Sequence, residues 1–196
     1  MQSIAQAAAQ MLTGGLLPFW RGLRDEEYGG YYGYMDFDLH VDKKAEKGCI
    51  LNSRILWFFS EAAAATGDEE LWHHAWHAYR FLTEKCLDRE QGGVYWSVTY
   101  DGQPLDDTKH TYNQAFAIYA LSAFYRLTEA PEALELAQEL FELRNLLRRC
   151  PAGGSMLSIA HSFHLDVQRS STGAGGNKPD QQKHPARNAD EQNDLR

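Results

Sequence analysis

The chain has little with which to hold an anionic polymer. Its 19 Lys and Arg are outnumbered by 27 Asp and Glu, for a net charge of −8 over 196 residues. No basic stripe relieves that balance: Lys43, Lys44 and Lys47 stand among Asp42 and Glu46. Nucleic-acid binding rests on clustered Lys and Arg, so this class of partner is excluded. Cysteine is scarce as well. Cys49, Cys86 and Cys150 are odd in number and widely spaced, which fits reduced thiols and excludes a disulfide framework or a Cys-based metal site. No window approaches 18 uninterrupted apolar residues, so no membrane span is expected. The N-terminus lacks a basic region followed by a long apolar run, so a signal peptide is not expected either. A cytoplasmic location is the expectation.

What the chain does have is apolar and aromatic residues, 43% and 12% of the total, enough for a folded core. Their spacing predicts five helical segments. The first covers residues 3–12 and then 16–20, with a break at Gly14-Gly15 and Pro18. The second, over 48–65, is apolar nearly all round (Ile50, Leu51, Ile55, Leu56, Trp57, Phe58, Phe59, then four alanines), which predicts burial on both sides. Gly67 and Asp68 follow it as a C-terminal stop and the next N-cap. The third, over 69–85, is amphipathic. Leu71, Trp72, Ala75, Tyr79 and Leu82 form its apolar stripe, and His73, His74 and His77 are expected on a solvated face. The fourth, over 112–128, is again apolar, and the fifth begins at Pro131, a suitable first helical position.

Buried helices thus alternate with amphipathic ones, the pattern of an inner ring and an outer ring. The units also repeat. Gly29-Gly30-Tyr31-Tyr32 returns as Gly92-Gly93-Val94-Tyr95, 63 residues on (29 to 92), and Ser60 returns as Ser122, 62 on (60 to 122). Such a period marks an array whose units cannot bury their faces alone. A third Gly-Gly pair, Gly153-Gly154, lacks the aromatic residues that follow the first two. Beyond about Arg148 the helical period is lost. Residues 168–196 are dominated by Gly, Ser, Asn, Gln, Asp and Lys, and are expected to be disordered. The division is therefore a partial helical domain over 1–149 and a divergent tail over 150–196, with a truncated or frame-shifted reading as the expected origin of the switch.

Five segments carry a resemblance: LLPFW, DEEYGGYYGYMDFDLHVDKKAEKG, LNSRILWFFSEAAAATGD, EQGGVYWSV and KHTYNQAFAIYALSAFYRLT. Occurring in this order, over residues 16–147, they resemble the N-terminal part of the N-acylglucosamine 2-epimerase family. Within it they are most similar to the bacterial cellobiose 2-epimerases. The resemblance implies an all-α fold, here an incomplete (α/α)6 barrel of about two and a half hairpins. It implies interconversion of the C2 configuration of a reducing-end glucose and mannose, in a cellobiose-type disaccharide, through an enediolate and without a cofactor or metal. The family's catalytic histidines lie in a Thr-His-x-His and a His-x-x-Glu-x-x-Trp motif, and neither occurs here. His161 and His164 do not match them, so no catalytic residue is assigned.

The chemistry removes the proton next to an aldehyde and returns one to the other face. Histidines suit both steps because their pKa lies near operating pH, and a fixed cation suits the developing oxyanion. Arg54, on an otherwise apolar helix, is the candidate cation. In the family the matching arginine contacts the sugar's reacting end, whereas an internal salt bridge is the alternative. Tyr112 and Phe116, four residues apart, share a helix face. They read as a sugar-facing hydroxyl and a stacking ring, with plain packing as the alternative. Asn113 and Gln114 can cap the adjoining loop, and His110 is expected to cap it rather than catalyse. The tyrosines 28, 31, 32 and 34 are either a sugar-receiving rim or packing over the hairpin. Two other readings stay open. A glycoside hydrolase needs paired carboxylates, and Asp36, Asp38 and Asp42 do not single out such a pair. The other reading is a non-catalytic fragment that self-associates through exposed helix flanks.

Overall fold

The computed structural model describes residues 3–149. The expectations for residues 150–196, including the tail, the third Gly-Gly pair and His161 and His164, lie outside the described residues.

The first helical segment is continuous rather than broken. Ser3 and Gln6 form a reciprocal capping box that starts α1 (Ile4–Met11). The chain then passes through a π-helical stretch (Leu12–Leu16) into α2 (Leu17–Gly22). Gly14-Gly15 widens the helix into that π turn instead of ending it, and Pro18 sits in the first turn of α2, where a missing N–H is tolerated.

Two helical hairpins follow. In the first, α3 (Cys49–Thr66) turns through Gly67, whose φ is +69°, into α4 (Glu69–Phe81). The Asp68 carboxylate accepts from the Glu70 N–H, so both the stop and the N-cap are those read from the sequence. A second π-helical stretch, Leu82–Cys86, ends this arm. In the second hairpin, α5 (Thr111–Thr128) turns at Glu129, also left-handed, into α6 (Pro131–Arg149). The inner helices α3 and α5 pack side by side, with α4 against α3 and α6 against α5. This is the two-layer wall of an (α/α) barrel. Its core includes Ile55, Leu56 and Phe59 of α3, Leu71 and Ala78 of α4, and Leu121 and Phe124 of α5.

Short strands precede each inner helix. β1 (Tyr34–Met35) pairs antiparallel with β2 (Val41–Asp42). β3 (Lys47–Gly48) pairs with β4 (Ser97–Val98), and β4 with β5 (Pro104–Asp106). The β3–β4 pairing joins the loop of one hairpin to that of the next. The isolated bridges Arg24–Tyr31 and Leu87–Val94 keep the 63-residue offset (24 to 87), so the repeat is one of backbone geometry as well as residue type.

The expectation that α3 is covered all round is not met. Arg54 is exposed, and Ile50, Leu51, Trp57, Phe58 and Glu61 are only half-buried. One face of α3 borders open space on the concave side of the wall, where a closed ring has its central cavity.

Candidate functional site

Each inner helix is tied near its N-terminus to the preceding Gly-Gly loop by a carboxamide at the same repeat position, Asn52 and Gln114. In the first hairpin the Asn52 carboxamide oxygen accepts from the Tyr31 N–H at 3.0 Å, and its nitrogen donates to the Gly48 carbonyl at 3.2 Å. In the second, Gln114 brackets Val94, its oxygen accepting from the Val94 N–H at 2.7 Å and its nitrogen donating to the Val94 carbonyl at 2.8 Å. Asn113 donates to the Tyr95 carbonyl. The loop-capping role expected for Asn113 and Gln114 is thus met. At Gly30 the φ is +69°, and an added Cβ would lie 2.6 Å from the Phe81 ring and 2.8 Å from the Asn52 oxygen. Only glycine fits that approach.

A buried ion pair completes each set, and neither pair was anticipated. Lys47 Nζ donates to Asp25 at 2.5 Å and to the Gly29 carbonyl at 2.8 Å, with both side chains out of solvent. Lys109 Nζ donates to Asp88 at 3.0 Å and lies 3.9 Å from the centroid of the Tyr95 ring. Burial pushes the Asp25 carboxyl up, but the Lys47 bond and the N–H groups of Tyr28 and Glu27 outweigh it, so it titrates below the usual range. For Lys47, burial outweighs Asp25 and the ammonium titrates below its ordinary value. Asp88 and Lys109 shift in the same directions. The signal was in the sequence: Asp25 and Asp88 stand 63 apart (25 to 88), Lys47 and Lys109 62 apart (47 to 109). In sequence Lys47 stands with Lys43 and Lys44 among Asp42 and Glu46, and nothing local marks it as buried.

These anchored helices present a concave face. Arg54 is exposed rather than buried and, among the described residues, is in no salt bridge; its guanidinium lies over the Phe116 ring, 5.6 Å from the centroid. The internal pair expected of a buried arginine is therefore absent from the described residues, because this face of α3 is open. Tyr112 is 57% exposed and meets Phe116 edge-on at 4.9 Å. The structure thus brings Arg54, Phe116 and Tyr112 together on one surface. A free guanidinium beside aromatic rings can stabilise an oxyanion while the rings hold the apolar face of a ligand.

The histidines fall otherwise than expected. His73 is exposed, but His74 and His77 are buried at 5% and 7% exposure. The solvated-face expectation fails for both because the Gly30-Tyr31 loop covers this side of α4 and Phe59 of α3 stacks on the His74 ring at 4.7 Å. His77 Nε2 donates to the Gly30 carbonyl at 2.9 Å, and His74 Nδ1 is hydrogen-bonded to the Tyr31 hydroxyl at 2.9 Å. Burial, aided by Arg24, holds His74 down to about 4, so its ring is neutral at pH 7. His110 occupies the N-cap position of α5 without a side-chain cap bond, and its ring instead meets Trp96 at 4.8 Å. Tyr31 is core, whereas Tyr34 is exposed. Asp36, Asp38 and His40 form an exposed cluster in which Asp36 accepts from the N–H groups of Asp38 and His40, the bonding of a tight turn.

Comparison with known proteins agrees with the fold. The profile of the N-acylglucosamine 2-epimerase (GlcNAc 2-epimerase) family matches residues 30–157. A cellobiose 2-epimerase of Eubacterium cellulosolvens is 56% identical over 133 residues, 68% of this chain and 33% of that protein. The solved structure of a cellobiose 2-epimerase from Bacillus thermoamylovorans superposes with a TM-score of 0.72 at 48% identity, over 73% of this chain and 37% of that one. An α-mannanase from Bacteroides thetaiotaomicron shares the fold alone, with a TM-score of 0.61 at 16% identity over 86% of this chain and 48% of that one. The chain spans about a third of the length of the epimerases it matches. With a family profile covering most of the chain and the paired-helix wall in place, the chain belongs to the N-acylglucosamine 2-epimerase family.

Proposed function

We propose that this chain supplies the N-terminal wall of a sugar 2-epimerase acting on the reducing end of a cellobiose-type disaccharide. Arg54 polarises the open-chain C1 carbonyl and holds the oxyanion of the enediolate. Tyr112 binds a sugar hydroxyl, and Phe116 packs against the carbon face. The proton leaves C2 on one face and returns on the other, which converts a glucose configuration to mannose with no redox change. Those transfers need two basic groups placed on opposite faces of the substrate. Among the described residues none of the histidines lies on the open faces of α3 and α5, so the proposal assigns this wall to binding and polarisation. The observation that carries it is Arg54, exposed beside aromatic rings and in no salt bridge among the described residues, on a wall shared with cellobiose 2-epimerases.

The test is incubation of the purified chain with cellobiose in heavy water. The expected result is that no deuterium enters C2, because among the described residues no histidine stands on the open faces of α3 and α5 to remove this proton. Deuterium at C2 above a no-enzyme control would show that a base has been overlooked among these residues.

A further inference from the structure

The open faces of α3 and α5 are matched rung by rung. Arg54 faces Phe116, and one turn further Trp57 stacks on Tyr119, with centroids 5.5 Å apart and planes 24° from parallel. One more turn on, Glu61 is salt-bridged to Arg126. The first two rungs keep the 62-residue offset of the repeat (54 to 116, 57 to 119). Along α3 each rung lies about 4.5–6 Å beyond the last, whereas on α5 the step from Tyr119 to Arg126 covers two turns, about 10.5 Å.

The two ends of this ladder differ. At the N-terminal ends of α3 and α5 stand the Gly-Gly loops and the β-hairpins. At the C-terminal ends the chain turns directly into the outer helices through Gly67-Asp68 and Glu129-Ala130. The Trp57–Tyr119 rung therefore lies between Arg54 and the end at which the chain turns into the outer helices. Tyr119 is half exposed and Trp57 half-buried, so part of the stacked pair reaches the open face of the wall, with the ion-paired rung one turn further along α3.

We propose that Trp57 and Tyr119 form the floor of the sugar cavity and set how deeply the reducing ring enters. This rests on the binding role given to Arg54 and Phe116. A pyranose resting on the stacked rings places its reacting end level with the Arg54 guanidinium one rung above. The far side of the sugar then points towards the N-terminal ends of the two helices, the direction in which a glycosidic extension leaves. The floor selects ring depth, and Arg54 selects the carbonyl end.

The experiment is a cellobiose titration of the 196-residue chain, carbon-13-labelled in its Trp, Tyr and Phe rings and followed by NMR. Trp57→Phe and Tyr119→Phe assign the signals. The expected result is that Trp57 and Tyr119 signals shift along the same saturation curve as Phe116. Tyr119→Ala then weakens binding about three- to tenfold, the loss of one aromatic contact, with the melting temperature of the chain nearly unchanged. Shifts at Tyr112 and Phe116 with none at Trp57 and Tyr119 overturn the floor and leave the binding role of Arg54 and Phe116 standing. No shift anywhere in a folded chain overturns that binding role, and the floor with it.

Discussion

Lys47 and Arg54 lie seven residues apart, one just before and one within α3, yet their environments are opposite. Lys47 is fully buried and must be neutralised; Arg54 is exposed and need not be. Removing the partner of Lys47 leaves a buried charge uncompensated, so Asp25→Ala costs roughly 3–5 kcal/mol of stability. Replacing the pair together, Asp25→Ala with Lys47→Met, costs less than Asp25→Ala alone, since no charge is then stranded. Urea unfolding of the two variants checks this, and equal losses would show that the Gly29 carbonyl and local packing matter more than the charge. Arg54→Ala has the reverse profile. In an enzyme completed with the remaining hairpins of a relative, it should lower turnover about 10²–10³-fold, as for the loss of one oxyanion donor. Its melting temperature should stay close to that of the parent. A variant that keeps nearly full activity would assign Arg54 to structure.

At the level of elements, the contact between α4 and the Gly30-Tyr31 loop is the acid-sensitive joint. His74 titrates near 4 when folded and near 6.5 when not. Between those values the unfolded chain binds more protons, so stability rises with pH across this window and is lost as pH falls from about 6.5 towards 4. The single shift corresponds to about 3 kcal/mol. His77, also held down by burial, acts in the same sense. Asp25 and Asp88, depressed as carboxylates, extend the loss below pH 4. Melting temperatures recorded between pH 7 and pH 4 should fall steadily, and His74→Gln should flatten the upper part of that curve. A flat profile in the parent protein would mean that these rings stay solvated.

For the molecule as a whole, one flank of the wall carries apolar surface that no described residue covers. α1 has no buried residue, and Ile4 and Met11 are 90% and 67% exposed; Leu16 and Phe19 follow at 42% each. Apolar patches of this kind favour association. Sedimentation of the purified chain should show a mean mass that rises with concentration, reduced by Ile4→Lys with Met11→Lys. A monomer at every concentration would mean that the flank is covered by residues outside 3–149.

The helical hairpins, the Gly67 stop, the Asp68 cap and the roughly 62-residue repeat were readable in the chain, because each depends on local spacing and on conformations that few residues adopt. The Arg54, Tyr112 and Phe116 positions followed from the family resemblance, and the wall brings them together. Burial was not readable where it depends on what lies across from a residue. His77 is one turn from exposed His73, yet the Gly30-Tyr31 loop, folded over from more than 40 residues away, takes it out of water, and His74 is covered by that loop and by the Phe59 ring of α3, stacked on it at 4.7 Å. Lys47 resembles its neighbours Lys43 and Lys44 in sequence, but the strand it occupies turns it towards Asp25. Arg54 looked buried because its flanks are apolar; it is exposed because that side of α3 faces the concave opening. Spacing along the chain fixes which residues share a side of a helix, whereas only the packing of distant segments decides whether that side meets protein or solvent.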